Sequence, residues 1–128
     1  MSFTHTTQIL YKTTTDGVVI TQNAAIDGGA DQGIDKIISA GASNIHVAMG
    51  LTVASISSLL IYATQAVTIK TNSSSSPAQT FSLSAGQAIT WKLGDSYSNP
   101  LTIDVTGFYF SNAGSLAAVV KLRFLLDA

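Results

Sequence analysis

The sequence predicts an all-β fold, an antiparallel β-sandwich or jelly roll of about eight to ten strands in a single domain. Three features of the 128-residue chain indicate this fold. Apolar and polar residues alternate in short stretches, turn-forming residues separate the stretches at short intervals, and no segment shows the 3.6-residue periodicity of a helix. The chain contains no cysteine. Its length is sufficient to bury roughly two thirds of the extended surface, so a core can form without disulfides.

The opening residues predict a strand, a turn and a second strand. Ile9 and Tyr11 share one parity in a stretch rich in threonine, and Asp16-Gly17 is a hairpin-type turn that leads into the β-branched run Val18–Thr21. Residues 1–15 are therefore expected to form either an edge strand or an extended N-terminal arm. They show no basic region followed by a continuous apolar run, so we expect no secretory signal.

The segment Ala24–Asp35 predicts a loop, because three glycines and three aspartates are accompanied by only two isoleucines. The spacing of Asp27, Asp31 and Asp35 makes these residues a weak candidate for a metal site, since calcium prefers several carboxylate or carbonyl oxygens. The segment lacks the alternating ligands and the terminal glutamate of an EF-hand. The favoured interpretation is therefore a solvated acidic loop that binds no metal.

No charged residue lies between Ile37 and Ile69, and Ile45–Ala63 is the most apolar part of this region. A membrane helix needs about twenty predominantly apolar residues, but histidine, serine and threonine interrupt this stretch. Two buried strands, Asn44–Val53 and Ser58–Ala63, fit the pattern better, so we expect no membrane partner. A short helical turn near Ser55–Leu60 remains an alternative.

Alternation predicts further strands in the second half of the chain. The predicted strands are Ala66–Asn72, Phe81–Ser84, Ile89–Leu93 and Leu101–Val105, separated by turns at Ser73–Pro77, Ala85-Gly86, Gly94-Asp95 and Asn99-Pro100. Gly107 then introduces Phe108–Phe110. In a final strand, Val120, Leu122, Phe124 and Leu126 alternate with Val119, Lys121, Arg123 and Leu125. This is the pattern of sheets with one buried face.

The chain has unusually few charges. Charged residues make up 10% of it, against about a quarter in typical domains. With a formal charge of −1, it has no field that would gather phosphates, so we expect no nucleic-acid partner. Low charge also favours contact between protein molecules. The composition therefore favours a subunit that other subunits cover over an ordinary soluble domain.

The residue types offer little support for catalysis. A serine triad needs a histidine beside the nucleophile, and the two histidines, His5 and His46, lie in strand-like segments without a G-x-S-x-G elbow. We expect both to be structural or exposed. No glutamate, no clustered metal ligands and no phosphate-binding glycine loop occur in the sequence. The chain is therefore predicted to be non-enzymatic and to bind no cofactor.

Several aromatic residues raise the alternative of a carbohydrate-binding platform on a sheet face, because flat rings can stack on sugars. They are Trp91, Tyr97, Phe108, Tyr109 and Phe110. Their alternation with apolar positions favours core packing instead.

The segments AVTIKTN at Ala66–Asn72, FSLSAGQAITW at Phe81–Trp91 and NPLTIDVTGFYFSN at Asn99–Asn112, with the final strand to Leu126, carry a family resemblance. They resemble small β-rich virion structural proteins of tailed bacteriophages, the capsid decoration or cement proteins. The resemblance spans roughly Asn44–Asp127, and it concerns strand patterns and turns rather than reactive groups.

This resemblance implies a sandwich or jelly-roll capsid subunit with no catalytic residues. It also implies synthesis in the host cytoplasm and a place on the outer surface of the virion. The implied partners are the major capsid protein and copies of the same chain, as a dimer or trimer. The alternatives are a phage tail or baseplate component and a carbohydrate-binding module.

Overall fold

The chain forms β-strands along most of its length. A computed structural model describes residues 3–15 and 17–127, and in these ranges it contains ten strands. They are β1 (Phe3–Lys12), β2 (Val19–Gly28), β3 (Ala30–Ile38), β4 (Ile45–Leu51), β5 (Ile56–Ala63), β6 (Val67–Thr71), β7 (Thr80–Leu83), β8 (Ala88–Lys92), β9 (Val105–Ser111) and β10 (Ala118–Leu126). A three-residue 3₁₀ turn, Val53–Ser55, connects β4 and β5.

Strands β3 to β10 form two four-stranded antiparallel sheets. The strand orders are β3-β10-β5-β8 in the first sheet and β4-β9-β6-β7 in the second. The pairs β3 with β10, β4 with β9, β5 with β8, and β6 with β7 nest one inside the next. Strands β3 to β6 are thus paired, in reverse order, with strands β10 to β7. Together they form one long antiparallel double strand that folds over into the two sheets. This is the arrangement of an eight-stranded jelly roll, and it confirms the predicted fold class.

The core lies between the two sheets and is formed by alternate residues of their strands. The predicted inward series of β10 is confirmed for Val120, Leu122 and Phe124, which have no exposed surface. Phe108 of the second sheet stacks on Phe124 of the first at 5.9 Å between ring centroids. It also contacts Phe110 at 6.2 Å. Burial of these large side chains is the main stabilising contribution to the sandwich.

Strands β1 and β2 form a separate two-stranded hairpin outside the sandwich. Their register runs from Phe3 opposite Gly28 to Lys12 opposite Val19, which confirms the predicted strand, turn and strand. Asp16, half of the predicted turn, lies outside the described residues, while Gly17 has a φ of +73°. Residues 3–12 of the predicted arm are therefore a paired strand.

The base of the hairpin is held tightly against the first sheet. A Cβ atom on Gly28 would lie 2.7 Å from Leu125 Cγ and from the Leu126 carbonyl oxygen, so only glycine allows this approach. Leu125 has no exposed surface, yet it is not part of the sandwich core cluster. It occupies an outward position on β10, between the inward positions of Phe124 and Leu126. The hairpin base therefore covers it.

The predicted loop at Ala24–Asp35 is wrong. These residues belong to β2 and β3, which are separated only by Gly29. Pairing with β1 and with β10 keeps the backbone extended, and the Gly29 amide donates to the Leu126 carbonyl at 2.9 Å. The glycines serve close packing here, where the sequence suggested turn formation.

The predicted strand at Leu101–Val105 is also wrong, because β9 begins only at Val105. Side chains from other parts of the chain replace a strand partner. Gln79 Oε1 accepts from the Thr102 amide at 2.9 Å, and the Asn72 side-chain amide donates to the Asp104 carbonyl at 2.9 Å. The segment therefore runs as a loop that still buries Leu101 completely.

The apolar middle of the chain folds as two strands, as predicted. Their expected burial is confirmed for β5 but is wrong for β4, where only Leu51 is buried because the alternate residues face outward from the second sheet. Strands β4 and β5 correspond to the expected Asn44–Val53 and Ser58–Ala63. The helical turn suggested at Ser55–Leu60 lies earlier, at Val53–Ser55, and β5 is already extended from Ile56. Across the described residues, no helix has both the length and the apolarity required to cross a bilayer.

Candidate functional site

A cleft of about 530 Å³ lies between the hairpin and the outer face of the first sheet. Residues Thr4–Gln8 of β1 form one wall. The other wall draws on all four strands of the sheet, with Asp31 from β3, Ser58 from β5, Thr90 from β8 and Arg123 from β10. The half of the hairpin near its base thus lies over the sheet, and most of the groups that face the cleft are polar.

His5 links the hairpin to the sheet through both ring nitrogens. Nε2 lies 3.1 Å from Asp31 Oδ1, and Nδ1 lies 3.2 Å from Ser58 Oγ. An ionised carboxylate can only accept, so Nε2 donates to Asp31. In the neutral ring, Nδ1 then accepts from the Ser58 hydroxyl. The His5 side chain is only 17% exposed, so these bonds form in a partly desolvated place where they are worth more than on the open surface.

Serine, histidine and aspartate are also the residue types of a hydrolase triad, which makes the geometry worth testing against that chemistry. A nucleophilic serine must reach a substrate, with free donors facing the developing oxyanion. Ser58 is 4% exposed. It lies within β5, in register with Leu125 of β10 on one side and Lys92 of β8 on the other. The neighbouring backbone groups serve these ladders, so the arrangement suits anchoring of the hairpin better than acyl transfer.

The second histidine lies on the other sheet. His46 is exposed on β4, and its ring stacks on Tyr109 of β9 at 4.5 Å with an interplanar angle of 17°. A Cβ atom on Gly107 would lie 2.6 Å from His46 Nε2, so the missing side chain makes room for the ring. His5 is therefore structural and His46 is exposed, as expected. The sequence did not indicate that both ring nitrogens of His5 are hydrogen-bonded.

The three candidate metal ligands do not converge. Asp27 accepts a hydrogen bond from Thr4 Oγ1 at 2.6 Å, Asp31 pairs with His5, and Arg123 binds both oxygens of Asp35 at 2.9 Å. Within residues 3–15 and 17–127, no group of three acidic, histidine or cysteine side chains is placed to hold a metal ion. Asp27 and Asp31 instead bond to residues of β1, and Asp35 bonds to a residue of β10.

The aromatic residues that suggested a sugar platform are separated in the structure. Phe108 and Phe110 are fully buried, as core packing predicts. Trp91 packs partly buried against the core, and its Nε1 donates to the Tyr97 carbonyl at 2.9 Å. Tyr97 lies on the loop after β8, and Tyr109 faces outward from the second sheet. These side chains do not form one flat surface.

A buried ion pair closes the end of β8. Lys92 and Asp95 bind each other with side chains that are 8% and 9% exposed. Burial of the carboxyl raises its pKa, but the hydrogen bonds and charge of Lys92, together with a hydrogen bond from Tyr97, outweigh this effect. The pKa of Asp95 therefore lies below its ordinary value, and this carboxyl is ionised at neutral pH.

The end of the hairpin far from the sandwich exposes large apolar side chains on both of its faces. We call this region the hairpin tip and define it by Ile9, Leu10, Tyr11, Val19 and Ile20, which are 44% to 61% exposed. Tyr11 lies opposite Ile20 on one face, whereas Leu10 and Val19 belong to the other. The sequence carried a signal for this surface, because consecutive apolar residues break the alternation expected of a strand with one buried face.

The hydrogen bonds that join His5 to Asp31 and Ser58, here called the His5 network, carried no such signal in the sequence. Asp31 and Ser58 lie 26 and 53 residues from His5 in the chain. Comparison of the chain with protein-family models, curated proteins and solved structures found no match.

Proposed function

We propose that this chain is a non-enzymatic structural subunit of a tailed-bacteriophage virion, a decoration or cement protein that binds the outer surface of the major capsid shell and stabilises it. The hairpin tip is the observation that supports this proposal most strongly. Monomeric soluble proteins rarely expose contiguous apolar patches larger than a few hundred Å², and the tip groups five large exposed apolar side chains, on two faces, at one end of the hairpin. A rigid domain that carries such a projecting hairpin is suited to bridging neighbouring subunits.

The chemistry of the rest of the surface agrees with this role. The six basic and seven acidic residues leave a nearly neutral chain, so broad protein contacts would require little desolvation of ions. The jelly roll is a fold found in viral capsid domains, but also in lectins and cupins. Fold alone does not determine function, and the proposal therefore depends on the hairpin, the low charge and the anchoring role of the His5 network.

Mass spectrometry of purified particles tests the proposal directly. A decoration protein is expected in hundreds of copies per particle, whereas a tail or baseplate component is expected in few. Absence of the chain from purified particles would refute both structural roles.

Shell binding provides the functional test. Purified protein is added to shells that lack it, and the mixture is sedimented and then heated. We expect co-sedimentation and an increase in the temperature at which the shells open. Avidity over many symmetric contacts can produce this effect even if each contact is weak. Shells with an unchanged opening temperature would contradict the stabilising role.

A carbohydrate-binding module is the second candidate, favoured by the stacked pair His46 and Tyr109 on the outer face of the second sheet. Glycan-array binding that is lost in Tyr109→Ala but retained in Tyr97→Ala would support it. Lack of binding to any glycan, with and without calcium, would exclude the aromatic platform.

A further inference from the structure

We propose that the cleft between the hairpin and the first sheet is a strand-addition site, in which an extended, uncharged segment of a partner polypeptide pairs with the free edge of β1. The inference goes beyond the proposed function, because it concerns the cleft and not the hairpin tip. It depends on the position of the β1 edge, the direction of its backbone groups and the chemistry of the cleft wall.

The cleft lies along the edge of β1 that faces away from β2. Five consecutive residues of β1, Thr4–Gln8, line it. Since side chains alternate between the two faces of a strand, consecutive residues border one cleft when the strand edge faces it. Among the described residues that line the cleft, none belongs to β2, although β2 is paired with β1 over its whole length. The edge at the cleft is therefore the one without a strand partner.

Alternate backbone groups of β1 point toward this edge. The Thr13 amide donates to the Val18 carbonyl at 2.9 Å, and in an antiparallel pair the bonded positions alternate with positions whose backbone groups point outward. In the register of β1 and β2, Thr4, Thr6 and Gln8 occupy these outward positions. Across the described residues, no other strand pairs with their N–H and C=O groups. Such a row of donors and acceptors is a template for another strand.

The wall opposite β1 suits small, strand-forming side chains. Leu60 of β5 and Thr90 of β8 lie in register there, and both are partly buried. One face of an added strand would lie on them, and its other face would remain exposed. The five-residue edge is about 16 Å long, and the cleft volume of about 530 Å³ is typical of ligand sites. A segment of similar length, with side chains such as threonine or valine, therefore fits.

The charged side chains of the cleft wall are already compensated. Asp31 bonds to His5, and Arg123 binds both oxygens of Asp35. A charged side chain that entered the cleft would lose hydration without gaining a free counter-ion. In strand addition the backbone bonds provide the affinity and the side chains provide the selectivity. The site should therefore select an uncharged segment.

A displayed library of random linear heptapeptides, presented to the purified chain, tests the proposal. We expect enrichment of peptides in which β-branched residues alternate and charged residues are absent. Binding of an enriched peptide should slow amide exchange at Thr4, Thr6 and Gln8, because their N–H groups gain partners. The Ala25 amide, at the other free edge of the hairpin, should exchange at an unchanged rate. Failure of any peptide to enrich would overturn the proposal.

A pair of proline variants locates the binding edge. Thr6→Pro removes one N–H at the cleft and no bond between β1 and β2, since proline is tolerated where the N–H faces outward from an edge. It should weaken peptide binding by roughly tenfold or more, because a ladder bond is lost and the ring obstructs the edge. Ala25→Pro is the matched control, because Ala25 lies opposite Thr6 and directs its N–H away from the cleft. It should bind peptide like the original chain.

N-methylation of the peptide provides a second measurement that leaves the protein unchanged. Alternate N–H groups of a strand point to opposite edges, so methylation of one alternate set should abolish binding and methylation of the other set should not. Equal binding of the two methylated forms, or binding that persists in Thr6→Pro, would overturn the proposal. Light scattering covers one further outcome. If the original chain associates with itself and Thr6→Pro does not, a second copy occupies the edge and the proposal is wrong.

Discussion

The hairpin and the sandwich are made of the same kinds of strand-forming residues, yet they differ in what covers those residues. In β10, five of nine residues are buried, including Leu122 with no exposed surface. In β1, ten residues form an equally regular ladder, but none is buried. The difference shows that a sequence of strand-forming residues specifies an extended backbone, whereas burial of its side chains requires a second sheet packed against it.

This contrast predicts two levels of stability within one chain. The sandwich encloses a continuous core, so it should unfold as one cooperative unit. The hairpin is attached to the first sheet mainly through Gly28 packed on Leu125 and through the His5 network. It should therefore open locally at a lower free energy than global unfolding.

The largest expected effect on stability comes from a leucine-to-alanine substitution in the core, compared with the same substitution at the hairpin tip. Leu122→Ala removes a side chain with no exposed surface, so it should lower the free energy of unfolding by about 2–5 kcal/mol. Leu10→Ala changes a residue that is 55% exposed at the hairpin tip, and it should change this free energy by less than about 0.5 kcal/mol. Urea unfolding of the dilute protein measures both. Equal effects would show that the hairpin belongs to the cooperative core.

The Lys92–Asp95 ion pair should make the stability of the sandwich depend on pH. Asp95→Asn should lower the stability of the sandwich by about 1.5–3 kcal/mol at neutral pH, because it removes a charge-assisted hydrogen bond. The pKa of Asp95 is lower in the folded chain than its ordinary value. The contribution of the carboxylate is therefore fully present above the unfolded-state pKa, and it is lost as the pH falls through the lower folded-state pKa.

Urea unfolding at a series of pH values measures this dependence. The curves of the original chain and Asp95→Asn should converge in acid, whereas the exposed control Asp127→Asn should follow the original chain at neutral pH. A constant gap between the original chain and Asp95→Asn down to the lowest pH would show that the ionised pair is not the cause.

The base of the hairpin should tolerate little added volume. In Gly28→Ala the new Cβ would meet Leu125 Cγ and the Leu126 backbone oxygen at 2.7 Å, so the hairpin or β10 must move, at a cost of about 1–3 kcal/mol. In the control Gly50→Ala, no atom lies within 4 Å of the added Cβ, and stability should be nearly unchanged. Thermal melts combined with hydrogen exchange compare the two variants. A neutral Gly28→Ala would mean that the hairpin is not packed on Leu125 in solution.

The last expected effect is confined to the hairpin. His5→Ala removes the two bonds that join the hairpin to Asp31 and Ser58, each worth about 0.5–1.5 kcal/mol. Amide exchange should become faster in residues 3–12 and 19–28 and remain unchanged in β5 and β9. Thr6→Ala, a neighbouring exposed substitution, serves as the control. Faster exchange throughout the sandwich would contradict a purely anchoring role.

Much of the fold could be predicted from local pattern, and the failures have a common cause. An uncharged apolar stretch located β4 and β5. Alternation located β6 to β8 and the inward residues of β10, because period-2 alternation reflects one covered face. Ala24–Asp35 failed because its glycines and aspartates are turn formers in isolation, whereas here Asp35 binds Arg123 and Gly28 accommodates Leu125. Leu101–Val105 failed in the opposite sense, since distant side chains such as Gln79 took up its backbone groups.

The site was less predictable than the fold for the same physical reason. The His5, Asp31 and Ser58 side chains come from three strands that local sequence does not relate to one another. The hairpin tip differs, because its consecutive apolar residues are visible in the sequence, although their exposure is not.

The sequence by itself determined that the chain folds as antiparallel β-structure, where most strands lie, and which face of β10 is apolar. These are properties of neighbouring residues, and periodicity expresses them directly. Only the tertiary structure decided that β3 pairs with β10 and β4 with β9. It also decided that the hairpin lies outside the sandwich and that the apolar side chains of its tip are exposed. Pairings between residues such as Asp35 and Lys121 depend on the free energy of the whole packed arrangement, and no short stretch of sequence contains that information.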